Sequence, residues 1–327
     1  MSDLENKKTL VIIDSNSVIH RAYHALPKLT TKKGKVVSAV YGFLLVFFKA
    51  IKDFQPDFIV AAFDVPGPTF RHKKYSGYKA KRPPAPQELY QQIPIVKEVL
   101  RSFNVSVLEK EGFEADDIIA TVASKAPKKQ VLPEIETIIV SGDTDSLQLI
   151  DEKTKVYILR KGIKDTILYD KMAVKEKYSG LVPNQLLSYK ALRGDPSDNI
   201  PGVTGVGEKT ATELILNFGN LEKLYKAIEE RPGNPKNIKT KLKETLLQYR
   251  DQAFLSESLA KPEKNVSIDF NLKNSRWGNY NKEKVAEIFE KLNFYSLIEK
   301  IPIFGNKGKE LVGKKTEVEN GEQGTFF

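Results

Sequence analysis

Thr9–Asp14 reads TLVIID, Phe58–Asp64 reads FIVAAFD and Thr137–Asp143 reads TIIVSGD: three apolar runs, each closed by an aspartate. Near-continuous hydrophobicity over so few residues is the pattern of strands buried on both faces of a sheet. Amphipathic stretches lie between them, among them VSAVYGFLLVFFKAIKDF and PQELYQQIPIVKEVL. Strands alternating with helices of that length predict an α/β fold with a mostly parallel sheet. VSVLEK (Val105–Lys110) and KVYILR (Lys155–Arg160) are expected to add further strands. In such a sheet the C-terminal strand ends share one edge, so Asp14, Asp64 and Asp143 should converge there despite their separation in the chain. One aspartate after a strand more often caps the next helix or opens a turn. Three in the same position weigh against that reading alone.

Further acids cluster in short motifs. EADD (Glu114–Asp117) sets three carboxylates within four residues, where a helix is expected to begin. The helix dipole alone favours acids there, but Glu114 and Asp117 also share a face. Asp145 follows Asp143 by two positions, and GDPSDN carries Asp195 and Asp198. Nine carboxylates on one edge (Asp14, Asp64, Glu114, Asp116, Asp117, Asp143, Asp145, Asp195 and Asp198) would repel one another unless cations lay among them. No histidine accompanies them in these motifs, and an all-carboxylate set favours Mg²⁺ or Mn²⁺ over Zn²⁺. The expectation is a hydrolytic centre of two such ions.

The 327-residue chain carries a net charge of +10. Many basic proteins have no polyanionic partner, so the placement of the charges matters more than their sum. RHKKYSGYKAKR (Arg71–Arg82) holds six Lys or Arg and no acid, with Tyr75 and Tyr78 interleaved. Basic residues in one stretch and carboxylates in a few others point to metals acting on a polyanion. Cysteine is absent, which excludes disulfides and thiolate metal sites. The charged start MSDLENKK precedes an apolar run broken by Asp14, which does not make a signal peptide. The apolar run Tyr41–Phe48 is too short to span a bilayer. A cytoplasmic protein with no membrane segment is expected.

From Leu181 the pattern turns to helices and Gly/Pro-rich turns. The expected organisation is an α/β core over 1–181, a helical subdomain over 182–260, a returning segment over 261–305 and a disordered Gly/Lys/Glu-rich tail over 306–327. A last helix is expected near Lys282–Glu299, NVSIDF (Asn265–Phe270) is a strand candidate, ERPGNPKN a polar connection, and KKQVLPEIE a surface loop. Within the helical part, GDPSDNIPGVTGVGEKTATELI sets Gly202, Gly205 and Gly207 in a turn ahead of a helix from near Glu208. Glycines let the backbone approach a phosphate, helix N-terminal amides face it, and Lys209 and Thr210 add a charge and a hydroxyl. This is a helix-hairpin-helix signature for sequence-independent grip on duplex DNA. The GxxGxG spacing, with no strand before it, is unlike a dinucleotide fingerprint.

Six motifs in one order, VIIDSNSVIHRAYHA, FDVPGPTFR, YKAKRPPAP, GFEADDIIA, SGDTDSLQL and GDPSDNIPGVTGVGEKTA, make the chain resemble the 5′ nuclease region of bacterial DNA polymerase I, within the wider flap endonuclease family. The resemblance runs from about Thr9 to Glu299. It implies a PIN-like nuclease core with a helical arch, around Arg71–Pro86, through which a free 5′ end passes. It implies a first metal set of Asp14, Asp64, Glu114 and Asp116 with Asp117 adjacent, and a second of Asp143, Asp145, Asp195 and Asp198. Lys79 and Arg82 would contact the scissile phosphate, Tyr78 would stack on a base and Arg71 would hold a phosphate. Many relatives carry an aromatic residue where this chain has His20, which puts stacking on the 5′-end base in doubt and makes Tyr23 a substitute.

The implied substrates are DNA with 5′ flaps, nicks or RNA primers, handled by a monomer. The resemblance leaves open a free-standing nuclease or part of a polymerase. The end QGTFF, with Gln323, Phe326 and Phe327, is similar to short peptides that dock on sliding clamps. The rivals are a PIN-type ribonuclease, which needs no helix-hairpin-helix, and a non-catalytic duplex-DNA-binding protein, which needs no carboxylate clusters.

Overall fold

The protein is described by a computed structural model over residues 7–126, 134–230 and 238–303. Six strands form one sheet: β1 (Lys7–Asp14), β2 (Phe58–Ala62), β3 (Ser106–Leu108), β4 (Glu134–Ser141), β5 (Thr154–Leu159) and β6 (Thr166–Tyr169). Their order is β3-β2-β1-β4-β5-β6. Neighbours from β3 to β5 pair parallel, and β6 runs antiparallel to β5. The sequence gives little sign of β6, because it is a four-residue edge strand of which only Tyr169 is buried. Glu134–Glu136, expected in a surface loop, instead open β4 and pair with Lys7–Thr9 of β1. NVSIDF forms no strand; Val266 N instead donates to Thr121 Oγ1 at 3.1 Å.

Alternation along β1 divides the core. Leu10 and Ile12 point to one face, Val11 and Ile13 to the other, and all four are at most 2% exposed. The second face is covered by the helices Ser15–Ala25, Ser38–Phe54 and Ile93–Ser102. The chain returns to that face late: Val285, Phe289, Leu292 and Leu297 join its cluster. The first face is covered by the helix Ala115–Lys125. Its apolar cluster continues without a break into the helical region, through Leu186 and Leu192 to Leu214, Leu224 and Tyr225. Helices there span Leu186–Arg193, Glu208–Phe218, Leu221–Glu230, Thr240–Gln248 and Arg250–Ala260. This shared core fixes the GDPSDN loop against the edge of the sheet. ERPGNPKN from Arg231 onward, the head of KKQVLPEIE, and the tail with Gln323, Phe326 and Phe327 lie outside the described residues.

Candidate active site

The strand order reverses between β1 and β4, which opens a crevice at their C-terminal ends. Asp14 closes β1 inside that crevice and is 4% exposed. Its carboxyl caps the next helix, accepting from Ser17 N at 3.2 Å, and accepts from Ser141 Oγ at the end of β4 at 2.6 Å. The capping role and the strand-edge role therefore coexist in one residue. Burial, with Asp64 and Asp143 nearby, pushes this carboxyl up to about 6 against those two hydrogen bonds. Asp64 lies two residues past β2 and accepts from Ala115 N at 2.7 Å, which ties it to the start of the Ala115–Lys125 helix. From that helix Asp116 turns toward the crevice; burial first, then Asp14, Asp143 and Asp145, hold its carboxyl well above the usual range.

Asp117 departs from the sequence expectation. It is fully buried, and its carboxylate accepts from Arg71 Nη1 and Nη2 at 2.7 Å each, from Glu114 N at 3.0 Å and from Glu263 N at 2.7 Å. A carboxylate offers about four acceptor sites. All are used, so Asp117 has none left for a metal. Arg71, expected to hold a phosphate, is correspondingly 3% exposed and turned inward.

The second acid group comes from two loops. Asp143 and Asp145 follow β4, with Asp143 Oδ1 accepting from Asp145 N at 2.9 Å. Asp195 and Asp198 come from the loop after the helix Leu186–Arg193. Lys190, on that helix, joins the two loops: its Nζ pairs with Asp145 and lies 3.1 Å from Asp195 Oδ2. Burial pushes Asp145 up to about 6 against the pull of Lys190, with Asp143 adding to the rise. Burial also pulls on Asp195, but Lys190 and Ser197 outweigh it and hold that carboxyl below the usual range. Lys190 had no sequence signal, since a lone lysine on an amphipathic helix looks like any solvated one.

The segment expected to form a helical arch is helical only over Phe70–Lys74; Tyr75–Pro86 is a turn and a proline run. Pro83, Pro84 and Pro86 cannot donate to a helix, and Lys79 sits at φ +53°. Lys79 N donates to Asp198 O at 2.9 Å and Asn199 Nδ2 to Gly77 O at 2.6 Å, stitching the segment to the GDPSDN loop. Lys79 Nζ lies 2.9 Å from Glu114 Oε1, and Arg82 Nη2 lies 3.0 Å from Asp198 Oδ1. Tyr78, expected to stack on a base, is 3% exposed and donates its phenol to Glu114 Oε2 at 3.0 Å and Asp198 Oδ2 at 3.1 Å. Its ring packs edge-on against His72 with centroids 5.2 Å apart, so no face is open to a base.

The acids and the crossing segment enclose a cavity of about 620 Å³. Asp14, Asp64, Glu114, Asp116, Asp143 and Asp198 line it together with Lys79, Arg82 and the run Pro83–Pro86. His20 and His24 share this wall, as does Arg21, whose Nη2 donates to Gly142 O at 2.9 Å. Burial and then His24 push His20 below its usual range. Tyr23 is outside the cavity, edge-on to His24 at 5.2 Å. Arg21 and His24 escaped sequence reading because their direction depends on which face of the helix Ser15–Ala25 meets the sheet.

The three hairpin glycines are not equivalent. Gly202 is buried at φ +64°, and a Cβ there would stand 2.3 Å from Gly194 N. Its N–H donates to Ser256 Oγ at 3.0 Å, so it packs the hairpin and cannot meet a phosphate. Gly205 and Gly207 are exposed, and Gly207 caps the helix Glu208–Phe218 with Lys209 and Thr210 in its first turn.

Residues 9–179 match the model of the 5′-3′ exonuclease N-terminal resolvase-like domain. The chain belongs to the 5′-3′ exonuclease family. Residues 181–283 match the C-terminal SAM fold of the same family. The DNA polymerase I of Bacillus subtilis is 42% identical over 298 residues, which cover 91% of this chain and 33% of that protein. The chain thus spans about a third of the length of the curated relatives it matches. Among solved structures, a T5 flap endonuclease complex with DNA and metal ions superposes with a TM-score of 0.63 at 19% identity, covering 86% of this chain and 100% of that one. The catalytic core of Rad2 with a DNA substrate gives 0.57 at 17% identity, covering 91% and 94%. These two likenesses are of fold.

In this exonuclease-family chain the donor chemistry fits divalent ions. The acid side chains of the crevice are hard oxygen donors, and four of them (Asp14, Asp64, Asp116 and Asp145) are held toward the protonated form by enclosure and by neighbouring acids. Cations relieve that repulsion. Among the described residues no three such side chains meet closely enough to chelate an ion as they stand; Lys79 and Lys190 are paired with acids there. Among the described residues, too, no helix is long and apolar enough to cross a membrane.

Proposed function

We propose that the chain is a structure-specific 5′ nuclease that hydrolyses a phosphodiester where single-stranded and duplex DNA meet. The observation that carries this is the cavity itself, whose lining brings a set of carboxylates together with Lys79 and Arg82. A polyanionic strand entering it would meet the cations first and be presented to the acid edge.

Asp14, Asp64, Glu114 and Asp116 would hold one Mg²⁺ or Mn²⁺, and Asp143, Asp145, Asp195 and Asp198 a second. Bound there, the pair would supply an activated water and steady the leaving 3′ oxygen. Lys79 and Arg82 exchange their carboxylate partners for the scissile phosphate, where they stabilise charge as it develops. The exposed amides of the Gly205–Gly207 turn, with Lys209 and Thr210, take the duplex backbone. His20 stands in the cavity wall where an unpaired 5′ base would reach.

The substrates are 5′ flaps, nicks and RNA primers, and the likeness to DNA polymerase I supports a role for their removal in replication and repair. A monomer suffices for this chemistry. The tail from Gln323 is the segment for a sliding clamp; truncation at Gly321 should then abolish capture by the clamp.

Cleavage of a 5′-labelled flap duplex tests the reading. Metal-dependent release of the flap near the junction, blocked by EDTA, is expected. Tight binding without cleavage in Mg²⁺ and in Mn²⁺ would leave a DNA-binding protein instead.

A further inference from the structure

Arg71 and Asp117 do not themselves line the cavity described above and are buried, yet they join the parts that make it. Arg71 belongs to the segment that crosses over the acids, Asp117 to the helix that carries Glu114 and Asp116, and both grip the return of the chain at residues 259–263. Arg71 Nε donates to Leu259 O at 2.8 Å and Nη2 to Lys261 O at 3.0 Å, besides the two bonds to Asp117. Its Nη1 also lies 3.5 Å from Glu114 Oε2 as an ion pair. The guanidinium thus makes four hydrogen bonds, all inside the protein. Asp117 in turn closes on Glu114 N, the residue that starts the helix. Three separate chain segments meet at this one bidentate pair.

We propose that Arg71 and Asp117 form a buried clasp that positions Glu114 and Asp116 against the crossing segment, and that both are positioning residues of the nuclease site. This rests on the nuclease reading above. Bidentate, charge-assisted bonds fix direction as well as distance. The helix start can then neither rotate about its axis nor slide toward β1 without breaking two bonds at 2.7 Å. Glu114 leaves the clasp with one oxygen toward Tyr78 and the other toward Lys79, so the orientation set at Asp117 reaches the cavity within one helical turn. A lysine at position 71 would keep the charge but lose the fork.

The test uses Arg71→Lys, Asp117→Asn and the double variant of the full chain. Each is assayed for flap-duplex affinity in EDTA, divalent-ion affinity by calorimetry, and single-turnover cleavage. Displacing reacting groups by about 1 Å costs about 10²-fold in rate, so each single variant is expected to lose rate on that order with DNA affinity unchanged. The double variant is expected to lose no more than the worse single one, because the two side chains act as one unit. Weaker DNA binding in Arg71→Lys alone would make Arg71 a phosphate contact and overturn the clasp. Loss of an ion in Asp117→Asn with none in Arg71→Lys would make Asp117 a ligand and overturn it too. Full cleavage by Arg71→Lys would do the same. If Asp117→Asn does not fold, Arg71→Lys still decides. Absence of cleavage by the unsubstituted chain in Mg²⁺ and in Mn²⁺ would strike the nuclease reading itself.

Discussion

Lys79 Nζ and Glu114 Oε1 lie 2.9 Å apart, joining the segment above the cavity to the acids below it. Burial opposes the lysine's charge, yet Glu114 and then Asp198 hold it protonated above the usual lysine range. A cation kept charged in an enclosed site is worth more to a developing phosphate charge than one in water. Lys79→Ala is expected to slow cleavage by on the order of 10²–10³-fold, by analogy with loss of one preorganised donor. Flap affinity should change far less. Single-turnover rates and a binding titration on the same duplex check this, and equal losses in both would make Lys79 a residue of binding alone.

Asp143 and Asp145 share one short loop and are drawn toward Lys190 and Asp195. Replacing both by Asn keeps their size and removes two charges. Cleavage should fall below detection while duplex binding stays, since the hairpin turn at Gly205–Gly207 lies elsewhere. Binding that disappears together with cleavage would show that the acids organise the fold instead of the chemistry.

The hairpin glycines should separate stability from grip. A Cβ at Gly202 would strike backbone at 2.3 Å, so Gly202→Ala is expected to destabilise by more than about 3 kcal/mol. Gly205 has open space but φ +82°, and Ala there should cost about 1–2 kcal/mol. Gly207 has ordinary φ and open space, and Ala should cost at most about 1 kcal/mol as a poorer cap. Thermal melts order the three; a Gly202→Ala protein that melts like the parent would contradict the packing described here.

The metal-free protein should lose stability as pH rises through the weakly acid range. Asp14 is pushed up to about 6, from an ordinary value of 3.8. The folded state then binds its proton more tightly than the unfolded chain does. The stabilising contribution is full below the ordinary value and lost as pH passes the raised one. In EDTA, Tm is expected to fall between about pH 4 and pH 7, and Asp14→Asn to flatten part of that slope. Adding Mg²⁺ at neutral pH should restore stability, as any ligand of the native state does. A Tm that climbs through this window would mean that the acids are already neutralised by their lysine partners.

The core and the acid edge were legible because both follow from short-range pattern. TLVIID, FIVAAFD and TIIVSGD are apolar on both sides because parallel strands are buried on both faces, and period and burial are properties of the run itself. Their parallel pairing then sends Asp14, Asp64 and Asp143 to one edge. β6 escaped because an edge strand needs no such run.

The partners of individual side chains were not legible. RHKKYSGYKAKR reads as a uniform basic stretch, but Arg71 and Tyr78 turn inward while Arg82 stays half-exposed beside Asp198. EADD reads as three equal acids, yet Asp117 is consumed by Arg71 and Asp116 faces the crevice. Lys190 reads as one lysine among many and becomes the bridge between two acid loops. By itself the sequence determined the sheet, the carboxylate edge and the family, since these rest on periodicity and on motifs in order. Which acid keeps open oxygens and which cation is spent inside were decided only when separate segments of the chain packed together, because a buried charge must find its counter-charge and fill its hydrogen bonds there.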